Sequence, residues 1–166
     1  MKNILLILLG GLLFISCGTS PEPKTIYIVR HAEKMLVDNP DPELAQVGIV
    51  RSKKLAEILA DKEIKHVFST DYKRTRWTAK PTADQEGIQI ESYDPRDQEA
   101  FAEKLKTLEG NILVVGHSNT APRLANILVG SGSSYPDLTD VEYDNIYILE
   151  FRENDFVANV KKYGDF

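Results

Sequence analysis

Two histidines and two arginines, each placed where a hydrophobic stretch gives way to polar residues, are the side chains here with the means to do chemistry. Arg30-His31 closes the run Thr25-Ile26-Tyr27-Ile28-Val29 and leads into Ala32-Glu33. Arg74 follows Lys65 to Ser69 after a short turn, and His117 follows Asn111 to Gly116 and precedes Ser118. A guanidinium stays charged and offers a planar fork of N–H donors that matches phosphoryl oxygens. A neutral imidazole can attack phosphorus, while a second can donate a hydrogen bond to the oxygen charge that develops. Gathered in one place, the four would make a phosphoryl-transfer site with a protein nitrogen as nucleophile. The ordinary histidine pKa of about 6.5 leaves that nitrogen free near neutrality. The sequence has 3 histidines and no spaced cluster of ligands, so no metal is called for.

Strands must deliver these groups. Residues 25–30, 65–69 and 111–115 are short runs of apolar and β-branched residues. The last has no alternation, as expected of a central strand covered on both faces. Ile88 to Ser92, after Gly87, reads as a further short strand. Helical spacing opens at Leu44-Ala45-Gln46-Val47-Gly48, with Val47, Val50, Leu55, Ile58 and Leu59 expected to face inward. A second helix includes Arg74, with Thr70 or Asp71 as candidate cap, and Pro81 is expected to end or kink it. Gln98 to Leu108 and about Pro122 to Leu128 read as two more helices. Asn145 to Phe151 and Phe156 to Val160 suggest an antiparallel hairpin at a sheet edge. Strands alternating with helices predict an α/β fold, a three-layer sandwich whose mostly parallel sheet carries helices on both faces. Ligands in such sheets bind beyond the carboxyl ends of the strands, where Arg30, His31, Arg74 and His117 fall. The Gly-x-Gly-x-x-Gly and Walker loops are absent, which removes those routes to nucleotide binding.

Taken in order, these pieces resemble the motifs of the histidine phosphatase superfamily, with its phosphoglycerate mutase-like fold. Val29-Arg30-His31-Ala32-Glu33 is similar to the Arg-His-Gly-Glu signature, with Ala32 in place of the commonest Gly. Leu44 to Gly48 resembles the Leu-Thr-x-x-Gly helix start. Ser69 to Ala79 resembles Ser-x-x-x-Arg-x-x-x-Thr-Ala, with Asp71 where proline is frequent, and Val115-Gly116-His117-Ser118 resembles the second histidine motif. Compactness points to the short phosphohistidine-phosphatase-like branch. The resemblance implies that His31 becomes phosphorylated, that Arg30, Arg74 and His117 hold the phosphoryl oxygens, and that water then hydrolyses the phosphohistidine without a metal or an organic cofactor. Ser118 adds a possible phosphate contact. The implied partner is a small phosphorylated substrate or a phosphoprotein. For the general acid Asp94 is the first candidate, with Glu91 and Glu33 as alternatives. Two other readings compete: a lipoprotein that binds a phosphate ligand without turnover, and a serine esterase using Ser118. The second is weakened by Thr120, which stands where a nucleophile elbow needs Gly.

At 166 residues the sequence has the length of one domain, and its net charge of −5 argues against nucleic-acid binding, which draws on a basic face. Met1-Lys2-Asn3 precedes an apolar run from Ile4 to Ile15, shorter than the roughly 20 residues of a membrane span and suited to a signal peptide. The run closes on Ser16 and Cys17, the lone cysteine, which cannot form an intramolecular disulfide. Phe14-Ile15-Ser16-Cys17 resembles the lipobox of bacterial lipoproteins. That implies a signal peptide over 1–16, a tether over 17–24 headed by a lipidated Cys17, and a phosphatase domain over 25–166. The domain would then be held to a membrane by its lipid, in the bacterial cell envelope, facing the periplasm or exterior.

Overall fold

A computed structural model of the chain describes residues 23–130, 134–152 and 155–166. The expected signal peptide, Cys17 and all but the end of the tether lie outside them. Among the described residues no helix is long and apolar enough to cross a membrane.

The chain runs β1 (Thr25–Arg30), α1 (Gln46–Leu59), β2 (Ile64–Ser69), α2 (Lys73–Glu86), β3 (Ile90–Ser92), α3 (Gln98–Thr107), β4 (Asn111–Gly116), α4 (Thr120–Val129), β5 (Asn145–Arg152) and β6 (Asp155–Lys162). The strands form one six-stranded sheet in the order β3-β2-β4-β1-β5-β6. Pairing is parallel from β3 through β1, whereas β5 and β6 are antiparallel and form the expected hairpin.

Alternation of side chains across the pleat divides the core in two. Ile26 and Ile28 of β1, with Ile112 and Val114 of β4, pack against Phe101, Leu105, Leu124 and Leu128 of α3 and α4. Tyr27, Val29, Leu113 and Val115 face the other way, onto Leu55, Ile58 and Leu59 of α1 and Ala79 and Ala83 of α2. β4 is therefore apolar throughout because both of its faces are covered.

Register does the positioning. Arg30 pairs with Gly116 and Ser69 with Val115, so three strands end level with one another. The connections after β1 and β4 then part to opposite faces of the sheet, which opens a crevice between these two neighbouring strands.

Several local expectations change. Val47 and Val50 are exposed, at 55% and 59%, and the buried side of α1 is instead Gly48, Ser52, Leu55, Ala56, Ile58 and Leu59. The first turn of α1 lies against backbone, where only a small residue fits: a Cβ on Gly48 would stand 2.2 Å from the Glu33 carbonyl oxygen. Pro81 does not end α2, which continues to Glu86 and closes at Gly87 with φ +66. Tyr72, rather than Thr70 or Asp71, is the N-cap residue of α2, and it makes no side-chain cap. The orphan N–H of Lys73 is instead taken by the Asp41 carboxylate at 2.9 Å. Lys24, placed in the tether by sequence, is buried, and its Nζ donates to the carbonyls of Leu105, Lys106 and Leu108 at the carboxyl end of α3. Leu108 lies just past α3 and is only half-buried, and β3 starts two residues later than expected.

Candidate active site

Beyond the ends of β1, β2 and β4 lies a cavity of about 480 Å³ whose walls include Arg30, His31, Arg74, His117 and Ser118. The rings of His31 and His117 are 5.5 Å apart, edge to face. Five of the sequence candidates therefore share one space. They arrive there because the strands end level and α2 starts just past β2.

His31 is 4% exposed, and its Nδ1 lies 2.8 Å from the carbonyl oxygen of Ala32. A carbonyl only accepts, so Nδ1 carries the ring hydrogen and Nε2 keeps its lone pair. Burial pushes the His31 pKa down to about 3, the neighbouring His117, Arg74 and Arg30 act in the same direction, and the Ala32 hydrogen bond offsets only part of this. The ring is neutral at any physiological pH, the state a nucleophile needs. Burial, followed by Arg74 and Arg30, likewise lowers His117 to about 4. Its Nε2 is 2.9 Å from Thr70 Oγ1. Thr70 Oγ1 donates in turn to the Thr75 hydroxyl at 3.0 Å, whose own hydrogen goes to the carbonyls of Thr70 and Tyr72. With its one hydrogen given to Thr75, Thr70 Oγ1 accepts from the Nε2–H of His117, so that Nδ1 of the neutral ring keeps its lone pair.

Each guanidinium lies over a tyrosine: Arg30 over Tyr143 at 4.1 Å and Arg74 over Tyr72 at 4.4 Å. Arg30 also donates from one terminal nitrogen to the carbonyls of Thr139 and Glu142. The Nε atoms of Arg30 and Arg74 are buried without a hydrogen-bond partner among the described residues. A buried donor left unpaired costs about 1–3 kcal/mol, more when it is charged, and an oxyanion in the cavity these residues line would supply acceptors.

None of the three candidate acids is among the residues lining this space, although Asp94 precedes Pro95 and pairs with Arg96, which both line it. Asp94 accepts two hydrogen bonds from Arg96 Nε and Nη2 at 2.9 and 2.7 Å, which hold its carboxyl down to about 2. Such a group carries no proton to give near neutrality. Glu91 hydrogen-bonds Lys104 at 3.1 Å, from a strand at the edge of the sheet. Glu33 is gripped by Arg51 through Nε and Nη2. Burial pushes its carboxyl up, but those bonds outweigh the effect and leave it below the usual range. Its position explains the Arg-His-x-Glu spacing differently, because the Glu33–Arg51 pair fastens the segment after the nucleophile to α1. Thr78 adds a second fastening by accepting from the Ala32 N–H at 2.9 Å and donating to the Arg74 carbonyl at 2.7 Å.

Sequence reasoning had no signal for Tyr143 or Lys34, which lie in segments without periodicity. It treated Thr70 only as a possible cap, and it assigned no site role to Arg96, a largely exposed side chain that also lines the cavity. Among the described residues, no group of three or more His, Cys, Asp or Glu side chains is placed to hold a metal ion.

Residues 26–96, which carry both His31 and Arg74, match the family model of the histidine phosphatase superfamily, branch 1. Over that segment the chain is similar to the histidine phosphatases. Solved structures agree in fold. The protein histidine phosphatase SixA complexed with tungstate superposes with a TM-score of 0.72 at 18% identity, covering 85% of this chain and 98% of its own. A mycobacterial glucosyl-3-phosphoglycerate phosphatase gives 0.65 at 12%, with 85% and 98% covered. A phosphoglycerate mutase from Bacillus anthracis str. Sterne gives 0.62 at 16%, with 85% and 93% covered. No curated protein sequence matches the chain.

Proposed function

We propose that the protein is a phosphomonoesterase working through a covalent phosphohistidine on His31. The observation that carries this reading is the pairing of a neutral, oriented imidazole with two guanidinium groups whose buried Nε donors lack partners, all on one cavity. Nε2 of His31 forms the P–N bond as the P–O bond to the leaving group breaks. Arg30, Arg74 and His117 hold the phosphoryl oxygens, where charge must be stabilised in the transition state. Water then attacks phosphorus and the P–N bond breaks, so that ester and water leave as alcohol and phosphate.

Among the described residues no carboxylate lines the cavity, so in this reading the leaving atom takes its proton from water. A positioned general acid is worth about 10²–10⁴-fold. Its absence handicaps basic alkoxides most, and favours aryl esters or phosphoamidates. Incubation with a labelled aryl phosphate is expected to leave acid-labile phosphate on the wild type and none on His31→Ala, with turnover also lost in Arg74→Ala. Phosphate binding with no turnover at all would leave the non-catalytic binding reading in its place. The serine esterase reading gains no support, since Thr120 is committed to accepting from the His117 N–H at 2.8 Å.

The apolar run ending in Ser16-Cys17 supports, as a further part of the proposal, attachment to the bacterial envelope through lipid on Cys17. Incorporation of labelled palmitate, absent from Cys17→Ser, tests it.

A further inference from the structure

Next to the phosphate cavity lies a second one of about 690 Å³, and the two share the side chains of Arg30 and Lys34. Its other walls include Leu36, Val47, Val141 and Tyr143. Leu36, Val47 and Val141 are 91%, 55% and 85% exposed, so three branched aliphatic side chains from three separate segments converge on one groove in water. Exposed apolar residues scattered singly need no explanation, but a cluster continuous with a charged site does. The expected inward-facing pattern of α1 fails at Val47 for this reason: that turn of the helix faces the groove.

The acidic members of the groove sharpen the reading. Glu33 is already neutralised by Arg51, whereas Asp140 is exposed beside Val141 and makes no ion pair among the described residues. A second anionic group on a ligand would meet Asp140, whereas an uncharged apolar group would find the hydrocarbon of Leu36, Val47 and Val141 and the Tyr143 ring without that repulsion.

We infer that the groove receives the body of the substrate, so that the preferred ligand carries a single phosphate on an uncharged apolar alkyl or aryl group. This rests on the phosphatase reading above. The phosphoryl group sits between the guanidinium groups, and the chain or ring attached to it passes Lys34 and lies along Leu36, Val47 and Val141.

Titration calorimetry with methyl-, propyl- and hexylphosphonate, which bind without turnover, tests it. A fully buried methylene is worth about 0.8 kcal/mol, or about fourfold in Kd, so partial burial predicts about a twofold gain per added methylene. Val47→Asn is expected to flatten the series. Val157→Asn, an exposed valine on the edge strand β6, is expected to keep the wild-type slope. Replacing the terminal methyl of hexylphosphonate with a carboxylate is expected to remove the gain. A flat series, with methylphosphonate still bound in an Arg74-dependent way, overturns the inference and leaves the phosphatase reading standing. Failure of every phosphonate to bind overturns both. A slope retained in Val47→Asn places the apolar contact elsewhere and also overturns the inference. A matched comparison of hexyl phosphate in solution with a phosphorylated lipid in neutral vesicles then separates a soluble source from a membrane source.

Discussion

Lowering the pH from 7.5 to 5.0 tests the burial of the nucleophile directly. His31 is 4% exposed, with its pKa pushed down to about 3 by burial and by neighbouring positive groups. In the unfolded chain the same imidazole titrates near 6.5. Because the folded pKa lies below the unfolded one, the folded state binds fewer protons between the two values. Stability is therefore full above about 6.5 and falls as the pH drops towards 3. At pH 5 the unfolded ring is almost wholly protonated and the folded ring almost wholly neutral. The difference spans about 1.5 pH units, at about 1.36 kcal/mol each, so His31 alone removes about 2 kcal/mol. His31→Asn keeps a donor for the Ala32 carbonyl but does not titrate. Urea unfolding in phosphate-free buffer is expected to show the wild type losing about 2 kcal/mol more than His31→Asn between pH 7.5 and 5.0. In a thermal scan that is about 4–8 °C for a domain of this size. The lowered carboxyls of Glu33 and Asp94 also release stability in acid, but they are common to both proteins and cancel. Equal pH dependence in the two proteins would refute the account of His31 as a buried neutral base.

Gly48→Ala is expected to destabilise the fold by about 1–3 kcal/mol, since the new Cβ meets the Glu33 carbonyl at 2.2 Å; an unchanged urea midpoint would contradict the close approach. Thr70→Val removes the hydroxyl bonded to His117, worth about 1–1.5 kcal/mol, so kcat should fall about tenfold with KM nearly constant, and an unaltered kcat would exclude the positioning role. Asp94→Asn is expected to keep turnover of an aryl phosphate within about twofold, whereas a loss in the range of about 10²–10⁴ would restore Asp94 as the general acid.

The parts of this protein legible in the sequence share one physical origin, which is short-range pattern. Asn111 to Val115 reads as a central strand because every residue is apolar or able to pair, and both faces of β4 are indeed covered. The strand–helix alternation yields the α/β class, and that class alone directs attention to the carboxyl ends of the strands. Arg30, His31, Arg74 and His117 were accordingly readable as candidates before any distance was known.

Contacts between segments distant in the chain decided the rest. The level ends of β1, β2 and β4 follow from inter-strand register, which no single strand encodes. Glu33 is bound by Arg51, 18 positions later, and Arg30 is stacked on Tyr143, more than a hundred positions on, so neither pairing leaves a local trace. Asp94 lay next to a strand end, yet two residues later Arg96 supplies the partner that turns it away from acid chemistry. Val47 fits a helical period as well as any core residue. Only the placement of α1 against the Glu33 backbone turns it toward the groove, because periodicity fixes spacing along a helix but not which side the rest of the protein covers.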